Sequence, residues 1–351
     1  MSQRPLLESD LAEISDRLLP IADRLQGARI LVAGGTGFVG TWLVESLLNL
    51  DRRNGLGASM VILTRDARAY AARAPHLALD PRIEVHQGTL DGLGRLDGVA
   101  GVTHAIHAAS TVNRPREPEE ALAALQTLDQ GTEGLLQAAK RWPMKRFLYL
   151  SSAAVYDRLL NGISFQEDGP GCPPVSKPTS AYATGKRMAE LRTCLHASSS
   201  GYTAVIARLG AFLGPLLPME GVFAAGNFMG DALAGRRIRI LGDGTAVRSY
   251  QYAGDLAVWL WTLLLCGEAG EAYNVGGEVS VNLWELAELI NRLAEGPGVD
   301  VLGKSDLTRP VDVYAPPVKK AMDRFGLVNL VCLEEAIQRT LQWSCGHPDR
   351  R

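Results

Sequence analysis

No stretch of the 351-residue chain reaches the roughly 20 consecutive apolar residues that a membrane helix needs; the nearest, around residues 259–266, is too short. The opening residues, MSQRPLLESD, lack the basic start and apolar core of a secretory leader, so a cytoplasmic protein is expected. Five cysteines (Cys172, Cys194, Cys266, Cys332, Cys345) lie far apart with no C-x-x-C spacing. That pattern argues against a disulfide framework and a zinc site, and no metal is expected. A net charge of −2 leaves no overall electrostatic case for binding nucleic acid or an anionic membrane. There is no internal repeat and no low-complexity tract.

What is present is an ordinary globular composition, 46% apolar and 21% charged, in a chain long enough for one large or two medium domains. Short apolar runs at 29–33, 60–64, 82–87, 104–109, 146–151 and 203–208 read as strands buried on both faces. Between them, 40–50, 121–141 and 180–196 carry helical spacing. This alternation predicts an α/β fold, a Rossmann-type doubly wound parallel sheet, over 28–206. After Arg208, Gly- and Pro-rich turns change the rhythm. Residues 207–351 are therefore expected to form mainly a smaller substrate-binding α/β domain, with the chain returning to the first at about 250–276. In the N-terminal extension, 1–27, Leu7, Leu11, Ile14, Leu18, Ile21 and Leu25 alternate at spacings of four and three, interrupted by Pro20. An amphipathic helix lying on its own domain is expected there rather than a coiled coil.

The run Ile30-Leu31-Val32-Ala33-Gly34-Gly35-Thr36-Gly37-Phe38-Val39-Gly40 is a strand, a glycine-rich turn and a helix start. Glycines at such a turn let the backbone approach a pyrophosphate, which rests on amide groups at the helix N-terminus. A bound dinucleotide is expected against Gly34, Gly37, Phe38, Val39 and Gly40. The second strand ends Leu63-Thr64-Arg65-Asp66, with Arg68 nearby. An acid there would bind the adenosine ribose and an arginine a 2′-phosphate, so Arg65 leans the reading to NADP over NAD, with Asp66 left open as a ribose ligand.

Tyr182 and Lys186 fall at i and i+4 of a helical segment, on one face. A free phenol, with a pKa of about 10, is a poor base at neutral pH, and a neighbouring cation is expected to draw that value down. Leu150-Ser151-Ser152 stands at the carboxyl end of the fifth strand, where ligands bind in a doubly wound sheet. Ser152, Tyr182 and Lys186 are thus the expected catalytic set, acting at a carbinol carbon, with Lys186 also holding the nicotinamide ribose.

With these motifs in hand, the chain resembles the extended short-chain dehydrogenases/reductases of the nucleotide-sugar epimerase/dehydratase family, over about 28–326. Further matches are His107-Ala108-Ala109, Ser151-Ser152-Ala153-Ala154-Val155-Tyr156, Gly214-Pro215, Gly242-Asp243-Gly244 with Arg248, Asp255, Tyr273-Asn274-Val275-Gly276 and Arg309-Pro310. The resemblance implies a nucleoside diphosphate sugar as substrate, held by Asn227, Arg248 and Arg309, and a cofactor site that also takes in Thr89, Leu90, Ala108 and Ala109. It implies a homodimer through helices at 121–141 and 180–196.

Departures narrow the reaction. Where the family's 4,6-dehydratases resemble one another in an Asp-Glu pair after the catalytic Ser/Thr, this chain has Ala153-Ala154, and decarboxylating members commonly keep a glutamate where Ala154 stands. Methyl groups transfer no protons, so elimination would need other residues, such as Glu167 or Asp168. Thr89, Asp157 and Leu128 also replace residues usual in the family. The Ser-Ala-x-Val-Tyr form is closest to 4-epimerases, and the expected function is epimerisation by transient oxidation at sugar C4. A NADPH-dependent 4-ketosugar reductase, a dehydratase with unusual acid/base groups, and a dinucleotide-sensing pseudoenzyme are the alternatives.

Overall fold

A computed structural model describes residues 3–92, 98–110, 115–156, 166–169, 174, 176–306, 308 and 310–346. In chain order the elements are α1 (Glu8–Leu18), β1 (Arg29–Ala33), α2 (Phe38–Asn54), β2 (Ser59–Thr64), α3 (Ala67–Arg73), α4 (Pro75–Ala78), β3 (Ile83–Gln87), β4 (His104–His107), α5 (Pro118–Ala139), β5 (Arg146–Ser152), α6 (Ala181–Ser200) and β6 (Thr203–Leu209). There follow β7 (Ala211–Leu213), α7 (Ala224–Leu233), β8 (Ile238–Ile240), β9 (Val247–Tyr252), α8 (Ala253–Cys266), β10 (Ala272–Val275), β11 (Ser280–Asn282), α9 (Leu283–Leu293), β12 (Val299–Val301), β13 (Val313–Tyr314), α10 (Lys319–Phe325) and α11 (Leu333–Cys345).

The chain divides into two compact units. One comprises Met1–Val155, Cys172–Arg208 and Ala257–Tyr273; the other comprises Tyr156–Gly171, Leu209–Leu256 and Asn274–Arg351. The first is built on the seven-stranded sheet β10-β6-β5-β4-β1-β2-β3. Pairing is parallel from β3 through β2, β1 and β4 to β5. Leu31, Val61, Ala105, Phe147 and Ile206 are almost wholly buried and share one core cluster with Leu135 and Leu136 of α5. Burial of each large side chain contributes about 1.5–3 kcal/mol. Strand order reverses between β1 and β4, and the space beyond their carboxyl ends is where a doubly wound sheet takes its ligand. The Rossmann-type sheet expected from the alternating apolar runs is therefore observed.

The N-terminal helix lies on α2. Leu11, Ile14 and Leu18 are buried, Ser15 Oγ donates to Asn49 Oδ1 at 2.7 Å, and the Leu6 amide donates to the buried Glu45 carboxylate at 2.8 Å. Pro20 opens the 3₁₀ turn Leu19–Leu25, where its missing N–H leaves no ladder bond unmade. In the second unit, β9 pairs with β7, β11 and β13, and β12 pairs with β8. Among the described residues no helix is long and apolar enough to cross a membrane, and no group of three or more His, Cys, Asp or Glu is placed to hold a metal ion.

Candidate active site

Two glycines of the turn after β1 are required by the chain's own packing. Gly34 has φ +89°, and a Cβ on it would lie 2.7 Å from the Ala108 carbonyl carbon. A Cβ on Gly40 would lie 2.1 Å from the Gly34 oxygen. Gly37 is different. It is exposed, has φ −88°, and a Cβ there would meet only the Gly34 oxygen at 3.4 Å. It is also the N-cap of α2 and offers no side chain to the first-turn amides. Those amides lack intrahelical acceptors and receive no side-chain cap from Gly37. The chemistry fits a pyrophosphate resting on Gly37, Phe38 and Val39, with Ala108 and Ala109 as the facing wall.

At the end of β2 the acid and the base part company. The Asp66 side chain caps α3, its Oδ1 accepting from the Ala69 amide at 2.9 Å. Arg65 and Arg68 are exposed. Arg73, from the end of α3, donates to the Thr36 carbonyl of the glycine turn at 2.6 Å. Thr89 is exposed, and Leu90 packs against the core beneath α5, where a Cβ on Gly134 would lie 2.1 Å from the Leu90 oxygen. Leu128, a departure from the family pattern, has a packing reason: its Cδ1 sits 2.8 Å from where a Cβ on Gly185 would stand, so α5 and α6 meet closely.

The expected catalytic residues are brought together where the end of β5 meets α6. Lys186, 2% exposed, donates from Nζ to the Leu150 carbonyl at 2.7 Å. That nitrogen is 5.9 Å from the Tyr182 ring centroid and 4.9 Å from that of Tyr149. The Tyr182 hydroxyl hydrogen-bonds both Ser152 and Ser110. Ser152 Oγ also accepts from the Ala154 amide at 3.2 Å. Burial raises the Tyr182 pKa, and the two serine hydroxyls oppose that rise by favouring the phenolate. The expectation that lysine pulls the phenol down is corrected here. Burial lowers the Lys186 pKa itself to about 7, against the opposing charge of Glu190. Beneath them, buried His107 stands edge-on to Tyr149 with ring centroids 5.2 Å apart, its Nε2 3.2 Å from Thr132 Oγ1. Burial, helped by the Lys186 charge, holds it neutral with a pKa of about 3.

Ser110 was not among the expected residues. Its signal was positional: it follows His107-Ala108-Ala109 directly, past the end of β4 at the reversal of strand order. Glu190 and Arg208 were also missed and form a buried ion pair at 2.8 Å. Ala153 and Ala154 form a 3₁₀ turn and supply no proton donor. Of the two proposed substitutes, Glu167 accepts from the Asn274 amide at 2.9 Å and Asp168 is exposed.

Two of the expected substrate residues, Asn227 and Arg248, belong to the second unit. Asn227, on α7, donates from Nδ2 to the Gly221 carbonyl at 3.0 Å. Arg248, on β9, pairs with Asp312 at 2.9 Å and donates to the Val247 and Asp312 carbonyls, its guanidinium 5.8 Å from the Tyr314 ring centroid. Much of its donor capacity is thereby used within the unit. Arg309 and Asp157 lie outside the described residues.

The chain is similar to a dTDP-glucose 4,6-dehydratase of Streptomyces griseus, 28% identical over 322 residues, covering 91% of this chain and 94% of that protein. A solved dTDP-glucose 4,6-dehydratase of Streptomyces venezuelae, with NAD and TYD bound, matches with a TM-score of 0.76 at 26% identity, covering 90% of this chain and 96% of that one. The UDP-glucose 4-epimerase of Thermotoga maritima shares the fold, with a TM-score of 0.76 at 20% identity, covering 90% and 98%. The model of the NAD dependent epimerase/dehydratase family matches residues 30–276, and with the glycine turn and the Ser152/Tyr182/Lys186 cluster in the positions described, the chain belongs to that family of enzymes.

Proposed function

We propose that the protein is a nucleotide-sugar 4-epimerase working by transient oxidation at C4. The observation that carries this reading is the pair Ala153-Ala154 directly after Ser152. Water elimination across C5 and C6 needs an acid and a base beside the sugar, and the residues at that turn have neither. When bound, the nicotinamide supplies the hydride acceptor and donor. The chain's own residues do the rest. Tyr182 Oη takes the proton of the C4 hydroxyl and later returns one. Ser152, with Ser110, hydrogen-bonds the oxygens between which that proton moves and favours the phenolate, and Lys186 holds the adjacent ribose. Asn227, Arg248 and Arg309 are proposed to bind the diphosphate.

For the cofactor the reading is NADP over NAD, supported by the exposed guanidinium of Arg65 and by the use of Asp66 as a helix cap. A homodimer through α5 and α6 is supported by the exposure of Leu122, Leu191 and Leu195 on those helices. The experiment is to supply purified protein with NAD(P) and a panel of nucleotide sugars, following products by mass and the reduced-nicotinamide absorbance. Conversion to an isomer of unchanged mass without net cofactor consumption is expected. Steady loss of NADPH with a 4-keto sugar would make the enzyme a reductase, and a product lighter by one water would make it a dehydratase.

A further inference from the structure

Three consecutive residues at the end of β5 each take a partner from α6. The Leu150 carbonyl accepts from Lys186 Nζ, Ser151 Oγ donates to Glu190 Oε1 at 2.6 Å, and Ser152 hydrogen-bonds Tyr182. The helix residues are spaced by four, so one face of α6 is fastened to the strand at three successive points. Two of those points are catalytic residues under the reading above. The third, Glu190, has no part in the proton transfer, yet it is the most heavily bonded. Its Oε1 also accepts from Arg208 Nε at 3.0 Å and its Oε2 from Arg208 Nη2 at 2.8 Å, while Arg187 Nη1 stands 3.6 Å away. The two partners' side chains are only 7% and 4% exposed.

Keeping two charges in such a place costs several kcal/mol per ion before their attraction is counted, and apolar residues of similar volume often do as well for stability. A buried pair is therefore weak evidence of a stabilising role. What it does provide is direction: a bidentate arginine on β6 fixes the carboxylate, and the carboxylate fixes Ser151. We propose that Glu190 is a positioning residue, setting the rotation of α6 against the end of β5 so that Tyr182 meets Ser152 and a carboxylate stands one helical turn from Lys186. The proposal rests on the assignment of Ser152, Tyr182 and Lys186 as the catalytic set.

Lys186 is faced by His107 from β4, by Tyr149 and the Leu150 carbonyl from β5, and by Tyr182 and Glu190 on its own helix. Of these, Glu190 supplies the negative charge that works against burial. Glu190 in turn is faced by Arg208 from β6, Ser151 and Tyr149 from β5, and Arg187, Lys186 and Cys194 on α6.

The test uses Ser151→Ala, Glu190→Asp, and the double variant Glu190→Gln/Arg208→Met, which removes both buried charges together. Lys186 is titrated by ¹³Cε-lysine NMR in the protein without substrate, and kcat and KM are measured with a sugar the wild type converts. In the double variant the Lys186 midpoint is expected to fall by on the order of one pH unit. Its kcat should drop by on the order of 100-fold with KM nearly unchanged. Glu190→Asp should restore the midpoint, since it restores the charge. Ser151→Ala, which leaves the ion pair intact, should lower kcat without moving the midpoint. A folded double variant with wild-type midpoint and kcat overturns the proposal, as does an unchanged kcat in Ser151→Ala should the double variant fail to fold. Tyr182→Phe is the control: wild-type turnover there defeats the catalytic assignment and the positioning role together, whereas an inactive Tyr182→Phe beside indifferent Glu190 and Ser151 variants defeats the positioning role alone.

Discussion

A lysine buried to 2% exposure should leave its mark on the stability of the whole protein, and Lys186→Met measures it. Burial lowers the ammonium from 10.5 to about 7, a gap that corresponds to about 5 kcal/mol of penalty on the charged form. Below pH 7 both the folded and the unfolded chain hold the proton, and the penalty is present in full. Between about 7 and 10.5 the unfolded chain keeps a proton that the folded one has released, so wild-type stability rises with pH. Methionine keeps the unbranched stem and discards the charge, but it leaves the Leu150 carbonyl without its donor, a loss of about 1–3 kcal/mol. The variant should therefore be more stable than wild type by about 2–4 kcal/mol at neutral pH and below. That advantage should shrink with rising pH and end as a small deficit, because a neutral amine still bonds Leu150. Urea unfolding midpoints compared between about pH 6 and pH 10 report this directly. A variant less stable than wild type by the same amount at every pH would refute the reasoning, since the ammonium would then bear no burial penalty.

Other substitutions separate roles that the sequence merges. Gly37→Ala should keep thermal stability within about 0.5 kcal/mol while weakening NAD(P) binding by isothermal titration; Gly40→Ala, whose Cβ would lie 2.1 Å from the Gly34 oxygen, should lower the melting temperature as well. Ser110→Ala removes a hydrogen bond that favours the Tyr182 phenolate, so the phenol pKa rises and the acid limb of the kcat/KM profile should move to higher pH. An unmoved limb would mean the Ser110 contact is incidental. Arg65→Ala should weaken NADP binding roughly tenfold or more and leave NAD unaffected, read by fluorescence titration with each cofactor. Equal loss for both would remove the 2′-phosphate role.

Much of the sheet was legible because its strands are continuous aliphatic runs buried on both faces. The run at 29–33 is β1 residue for residue, and the others differ by one or two positions at their ends. The cluster proposed as catalytic was legible for a similar reason. Tyr182 and Lys186 are tied by helical spacing, and Ser152 by its place at a strand end. What was not legible depends on atoms far apart in sequence. Nothing local to Glu190, on helix α6, says that Arg208, on strand β6, will claim both its oxygens. The use of Asp66 as a cap for α3 is settled by its backbone geometry, which the sequence around Arg65 does not show. The pairing of Arg248 with Asp312 is likewise invisible in the sequence. The direction of the Tyr182 shift was misread because spacing reports proximity to a cation, not the larger effect of losing water.

The most direct measurement follows a converted nucleotide sugar in D₂O, with wild type and Tyr182→Phe side by side, locating deuterium in the product by NMR. Wild type should invert C4 and retain the original hydrogen there, with no solvent deuterium on the ring or at C6, while Tyr182→Phe should lose activity on the order of 10²–10⁴-fold. Turnover undiminished by the loss of that one hydroxyl would contradict the account.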